Sequence, residues 1–202
     1  MTQQKGVSSF LNNDFDTLIY VQTPERQLWQ RRSGDKNPQL VAENILDKDE
    51  VLVYFAQYKD EVIIQTNQAL YEVVDRKLQR LATEVVHFAL SSDGEAVVWH
   101  NGHEVWLLWL KNNPQQPYQT AGQRDLLSRT TNLMRNIYWL DGDHWLVAEE
   151  LNGARLLETD LRGGANYPKL TNLDQRDQLW YGLKENIIYF LHAGTLGSWK
   201  LK

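Results

Sequence analysis

Short turns flanked on both sides by apolar, β-rich runs recur along this chain, and that recurrence limits the fold more than any other feature. The clearest copy is residues 96–100, then Asn101-Gly102, then residues 103–110. Asn-Gly between two such runs is the strongest short hairpin signal, because both positions tolerate φ > 0. The design returns at 145–151, Asn152-Gly153 and 154–159, and again at 187–192, Ala193-Gly194 and 195–201. Weaker copies are 61–66, Asn67-Gln68 and 69–74, and 17–22 turning near Pro24-Glu25 into 27–31. These five turns lie 34 to 51 residues apart. That spacing brackets the ~40–45 residues of a four-stranded propeller blade.

A second turn precedes each hairpin, at Asp93-Gly94, Asp141-Gly142-Asp143, Lys184-Glu185-Asn186, Lys59-Asp60 and Asn13-Asp14. Before it stands another apolar run, at 86–90, 136–140, 179–183 and 51–56, and short segments such as 79–83 and 168–171 supply an outer strand. The expected fold is therefore all-β: a β-propeller of about five four-stranded antiparallel blades. They fall at roughly 7–43, 50–84, 85–131, 133–173 and 177–202 and form a single domain over 1–202. The alternative is a β-sandwich. A sandwich has no reason to repeat the same two turns in the same order, and runs as continuously apolar as 105–110 suit strands covered on both faces. Residues 125–129 fit one helical turn or the third blade's outer strand. Residues 5–11 fit either the missing outer strand of the last blade or the inner strand of the first. If that last edge stays open, it invites pairing with a second chain, so an oligomer is one expectation.

Composition narrows the function. Eight Trp, nine Tyr and five Phe suit pleated, half-buried surfaces. No cysteine is present, which excludes disulfides, thiolate metal sites and cysteine nucleophiles. Net charge is −5, and the close basic pairs are only Arg31-Arg32 and Arg76-Lys77. Nucleic-acid binding needs a concentrated basic face, so no nucleic-acid partner is expected. No apolar run approaches the ~20 residues of a membrane span.

Residues 88–99, Phe-Ala-Leu-Ser-Ser-Asp-Gly-Glu-Ala-Val-Val-Trp, resemble the F-S-P-D-G repeat of TolB-like and WD40-like propellers, with Ser92 where Pro is usual. Residues 137–147 carry a second copy, again without the Pro, and residues 156–164 resemble the strand and turn that close such blades. The C-terminal half is also similar to propeller regions attached to PEGA domains in bacterial surface proteins, although no PEGA module is visible. The resemblance covers residues 85–202 well and 1–84 only in architecture. It implies a fold strongly and a function weakly. What it implies is an extracytoplasmic or cell-surface setting in a bacterial cell envelope.

The chain offers little catalytic chemistry. His100 and His103 flank a turn and are expected to be exposed polar residues, with Glu104 on the opposite face from His103. His87, His144 and His192 stand at strand ends without a shared pattern. Asp141-Gly142-Asp143 reads as a turn rather than a calcium loop. Glu149-Glu150, Asp174 and Asp177 raise the question of paired carboxylates for glycoside cleavage. The inner strands, however, carry Tyr54, Phe88, Tyr138 and Trp180. No catalytic residue, metal site or cofactor is therefore expected. The candidate binding rim is Asn67, His100, Asn101, His103, Asn152, Asp174 and Asp177, with segments 43–50 and 173–178. Loops on a rigid scaffold are where binding usually resides. Two functions stay open: a non-catalytic scaffold for a protein partner, or a carbohydrate-binding propeller with an exposed Trp or Tyr at the same position of each blade. The exposure of equivalent aromatics separates them.

Overall fold

The structure, a computed structural model, describes residues 6–13, 17–23, 26–43, 49–59, 61–114, 118–140, 145–159, 169–171, 177–182 and 187–200. Among the described residues it contains nineteen strands and no helix. They form five separate antiparallel sheets, each an up-and-down meander of strands consecutive in sequence. The first sheet is β1 (Gly6–Asn13), β2 (Thr17–Thr23), β3 (Gln27–Arg32) and β4 (Gln39–Ala42). The second is β5 (Leu52–Tyr58), β6 (Glu61–Thr66), β7 (Ala69–Val74) and β8 (Lys77–Thr83). The third is β9 (His87–Leu90), β10 (Ala96–His100), β11 (Glu104–Trp109) and β12 (Arg124–Arg129). The fourth is β13 (Met134–Trp139), β14 (Trp145–Glu150), β15 (Gly153–Glu158) and β16 (Lys169–Thr171). The fifth is β17 (Gln178–Gly182), β18 (Ile187–His192) and β19 (Thr195–Lys200). The two open assignments resolve as strands. Residues 124–129 are the third sheet's outer strand, and residues 6–13 pair with β2 as the first sheet's inner strand.

The chain divides into two compact units, residues 1–85 and 86–202. In the first unit Ile19, Val21 and Leu28 of the first sheet pack with Phe55, Val62 and Ile64 of the second. In the second unit the period of two sorts β14 between two neighbours. Leu146 and Ala148 pack toward the third sheet with Ile137, Val98 and Leu107, while Val147 joins Leu179 and Ile188 of the fifth. Each such fully buried aliphatic side chain contributes about 1.5–3 kcal/mol relative to exposure. That burial on both faces is why β14 and β10 read as nearly unbroken apolar runs.

The turns depart from expectation in an instructive way. Among the described residues two two-residue hairpin turns have φ > 0 at both positions: Ala193-Gly194, at 49° and 80°, and Asp75-Arg76, at 48° and 61°. At Asn101 the loop is three residues long, because the Asn101 side chain accepts hydrogen bonds from the backbone N–H of His103 and Glu104. Gly102 alone there takes a positive φ, 99°. At Asn152 the register is one residue earlier than Asn-Gly implies: the loop is Leu151-Asn152, and Gly153 is already in β15, opposite Glu150. In the fifth sheet Gly197 is required sterically. A Cβ there would lie 2.3 Å from Phe190 Cζ, and the Phe190 ring, freed to lie over the glycine, stacks on Trp199 at 4.2 Å.

Candidate functional site

Each of the second, fourth and fifth sheets fastens the segment leading into its inner strand to the end of its second strand through a buried acid. Glu50 Oε1 accepts from Thr66 Oγ1 at 3.1 Å and Tyr71 OH at 2.7 Å. Glu150 accepts from Asn132 Nδ2 at 2.9 Å and pairs with Arg155 at 3.1 Å. Asp177 meets His192 Nδ1 at 2.6 Å and accepts from the Ala193 N–H at 3.2 Å. Buried carboxylates need such partners to offset lost hydration. Asp177 is 3% exposed, so its place on an exposed rim is corrected: it is a fastening inside the blade.

His100 is corrected likewise. It is 0% exposed, because β10 is covered on both faces. Its Nδ1 accepts from the Gly102 N–H at 3.2 Å, and its ring lies 6.4 Å from that of His87, its cross-strand partner. His87 Nδ1 in turn faces the Ile137 N–H at 3.5 Å. Burial lowers both imidazoles from 6.5 to about 4, and the neighbouring His87 further disfavours charge on His100. Both rings therefore act as neutral acceptors. Asn67, His103 and Asn152 are exposed on turns, and Asn101 is half-buried. Asn67 uses its side chain to bind Val51 N and Asp49 O, which ties that turn to the inner strand. His144, Asp174, Asp141-Gly142-Asp143, Pro24-Glu25 and most of segments 43–50 and 173–178 lie outside the described residues.

Beside these fastenings stands a feature the sequence reasoning passed over. The residue immediately before the inner strand is a large exposed aliphatic in three blades: Val51 at 50%, Val86 at 51% and Leu133 at 48%. The position is equivalent in each, next to the hairpin loop at the end of the second strand. Asn67 N–H donates to Val51 O, Leu151 N–H to Leu133 O, and Val86 N–H to His100 O. The signal was present in the chain as adjacent apolar pairs. Side chains alternate in a strand, so in Val51-Leu52 and Leu133-Met134 only the second enters the core, at 6% and 3%. Aromatics do not repeat in this way. Tyr54 and Phe88 stand at the same register, opposite Gln65 and Trp99, yet Tyr54 is 39% exposed and Phe88 0%.

In the second unit a pocket of about 340 Å³ opens between β13 and β17, lined by Arg135, Asn136, Tyr138, Glu149, Gln178, Leu179 and Trp180. Arg135 is stretched across it, with Nη1 donating to Asp177 O at 2.8 Å and lying 3.6 Å from Glu149 Oε1. Glu149 Oε2 accepts from Asn136 Nδ2 at 2.7 Å. Tyr138 OH donates to Leu179 O at 2.9 Å. Burial pushes the Glu149 carboxyl above its ordinary value, against the pull of Asn136 and Arg135. An acid thus does reach the inner wall, but from a second strand and not an inner one. Among the described residues no group of three metal-ligating side chains forms, and no helix is long and apolar enough to cross a membrane.

No protein-family model matches the sequence, and neither does any curated protein. Solved structures do. Hsv2 of Kluyveromyces lactis aligns with a TM-score of 0.65 at 10% identity over 96% of this chain. This chain spans 61% of the length of that one. The β-propeller domain of Cps50 (Swd1) from Myceliophteria thermophila aligns at 0.60 and 6% identity, over 94% of this chain and 68% of that one. The C-terminal WD40 domain of Sif2 aligns at 0.55 and 12% identity, over 92% of this chain and 54% of that one. With the five meander sheets, these likenesses make the fold a WD40-like β-propeller of about five blades, not a sandwich. At such identities they speak for the fold alone.

Proposed function

We propose that this chain is a non-catalytic protein-binding propeller whose partner docks on the surface of the second unit around Val86, Leu133 and the exposed His103. One observation carries the reading: the same outward aliphatic position recurs from blade to blade, with Val51 its counterpart in the first unit. Single exposed aliphatics need no explanation, but a position kept outward in successive repeats is the usual mark of a contact surface. The aromatic repetition required of a carbohydrate-binding propeller with one platform per blade finds no matching support, since Tyr54 and Phe88 differ so widely. Among the described residues the pocket wall offers one carboxylate, Glu149, and not the pair that glycoside cleavage needs. The TolB-like pattern of residues 88–99 supports placing the partner in an extracytoplasmic, cell-envelope assembly. Self-association through β19, which pairs only with β18 among the described residues, is a further part of this proposal.

The test is photo-crosslinking in cells that make the full chain, with a benzophenone amino acid at position 86, 133 or 118. Tyr118 is a 71%-exposed loop residue and serves as the control. Protein adducts are expected from 86 and 133 but not 118, and Leu133→Asp should cut them by about tenfold, the loss typical of a central contact. Equal labelling at all three positions would refute the docking surface.

A further inference from the structure

We propose that the pocket between β13 and β17 binds one neutral pyranose ring, stacked on the indole of Trp180. This goes beyond the partner-binding surface and does not depend on it. Volume comes first: about 340 Å³ lies at the small end of ligand pockets, room for a single ring and not for a polymer segment. Charge comes second. Among the described residues the wall holds one guanidinium, Arg135, and one carboxylate, Glu149, lying 3.6 Å apart. An anionic ligand would meet Glu149 and a cationic one Arg135, whereas an uncharged ligand leaves that pair undisturbed.

The remaining groups define the ligand's polarity. Asn136 gives one of its two amide hydrogens to Glu149, and Gln178 adds an exposed amide with both donor and acceptor capacity. Tyr138 gives its hydroxyl hydrogen to Leu179 O and so is not a donor toward a ligand. A wall that offers both donors and acceptors fits hydroxyl groups, each of which donates its own hydrogen and still accepts from a neighbour. Trp180 is 42% exposed on this wall, an apolar ring face beside a polar floor. A pyranose carries the complementary pair of surfaces: C–H bonds on one face and hydroxyls around the rim. One carboxylate without a second at catalytic separation favours binding over cleavage.

The experiment is saturation-transfer NMR backed by calorimetry. It uses the full chain with methyl glucoside, methyl galactoside, methyl mannoside and N-acetylglucosamine, and with glucuronate, glucosamine and adenosine as contrasts. At least one neutral sugar is expected to bind with a Kd of about 1 mM, the range a ligand of this size reaches through modest per-atom contacts. Trp180→Ala and Gln178→Ala should each weaken it by about tenfold; both side chains are exposed, so the fold should be kept, which circular dichroism checks. Leu133→Asp should leave sugar binding unchanged, so the two proposals fail separately. Three results would overturn the inference: no neutral sugar bound at 50-fold the expected Kd, affinity unchanged in folded Trp180→Ala, or tighter binding of a charged sugar or adenosine.

Discussion

The fourth and fifth blades are built on the same meander yet bury their middle strands differently. In β14 every residue after Trp145 is buried, with Leu146 and Ala148 on one face and Val147 and Glu149 on the other. In β18 only Ile188 is buried, and the opposite face, with Tyr189 and Leu191, is half-open. Sequence hydrophobicity does not explain the difference, since residues 187–191 are as apolar as 145–148; β14 contributes to two buried clusters of the second unit and β18 to one. A strand in this architecture is therefore stabilised by how many sheets flank it. Substitutions should be graded accordingly.

The largest effect is expected where both faces are covered. Leu146→Ala in β14 removes a fully buried side chain from the cluster shared by the third and fourth sheets and should destabilise the second unit by about 3 kcal/mol. Urea titration followed by tryptophan fluorescence reads this out, and a loss below 1 kcal/mol would break the comparison. Acid should act next. His87 and His100 are neutral acceptors at the junction of the third and fourth sheets, each lowered from 6.5 to about 4. The unfolded chain binds those protons more readily, so the stability they confer is complete above about pH 6.5 and is lost as pH falls toward 4. One ring lowered this far corresponds to about 3 kcal/mol, and two coupled rings to less than twice that. The urea midpoint should fall between pH 7 and pH 4.5, and His100→Gln should flatten that slope. A parallel slope in the variant would remove the rings as its cause.

The fifth blade supplies the smaller effects. Gly197→Ala pushes a methyl into the Phe190 ring and should cost about 2 kcal/mol, seen as loss of the near-ultraviolet signal of the Phe190–Trp199 stack. Leu196→Ala, at a residue 67% exposed in β19, should stay within about 0.5 kcal/mol. If Leu196 matters as much as Leu146, the fifth blade has a covering neighbour and the contrast with the fourth disappears.

How far the chain could be read follows the range of the forces involved. Hairpins and inner strands were legible because they depend on local turn chemistry and alternation, and β10, β11 and β13 lie within a residue or two of expectation. The details of the turns were not. Whether Asn101 widens its loop depends on where its own amide points, and whether Gly153 sits in a turn depends on register with β14. The exposure of the candidate rim residues was half legible. Turn position located Asn67, His103 and Asn152, but burial of His100 and Asp177 is decided by sheets and partners tens of residues away. Arg135 was missed altogether. Its role comes from reaching Asp177 O, forty-two residues on, and no local pattern announces that.

The backbone bonds that flank Leu133 have one more effect. Gly102 O receives the Met134 N–H at 2.8 Å, and Leu133 O receives the Leu151 N–H at 2.8 Å, so the loop presenting this side chain is stapled on both sides before anything arrives. Little ordering is left to be done at the moment of encounter. Association there should proceed as a rigid-body event, with those two amides slow to exchange in free and bound protein alike.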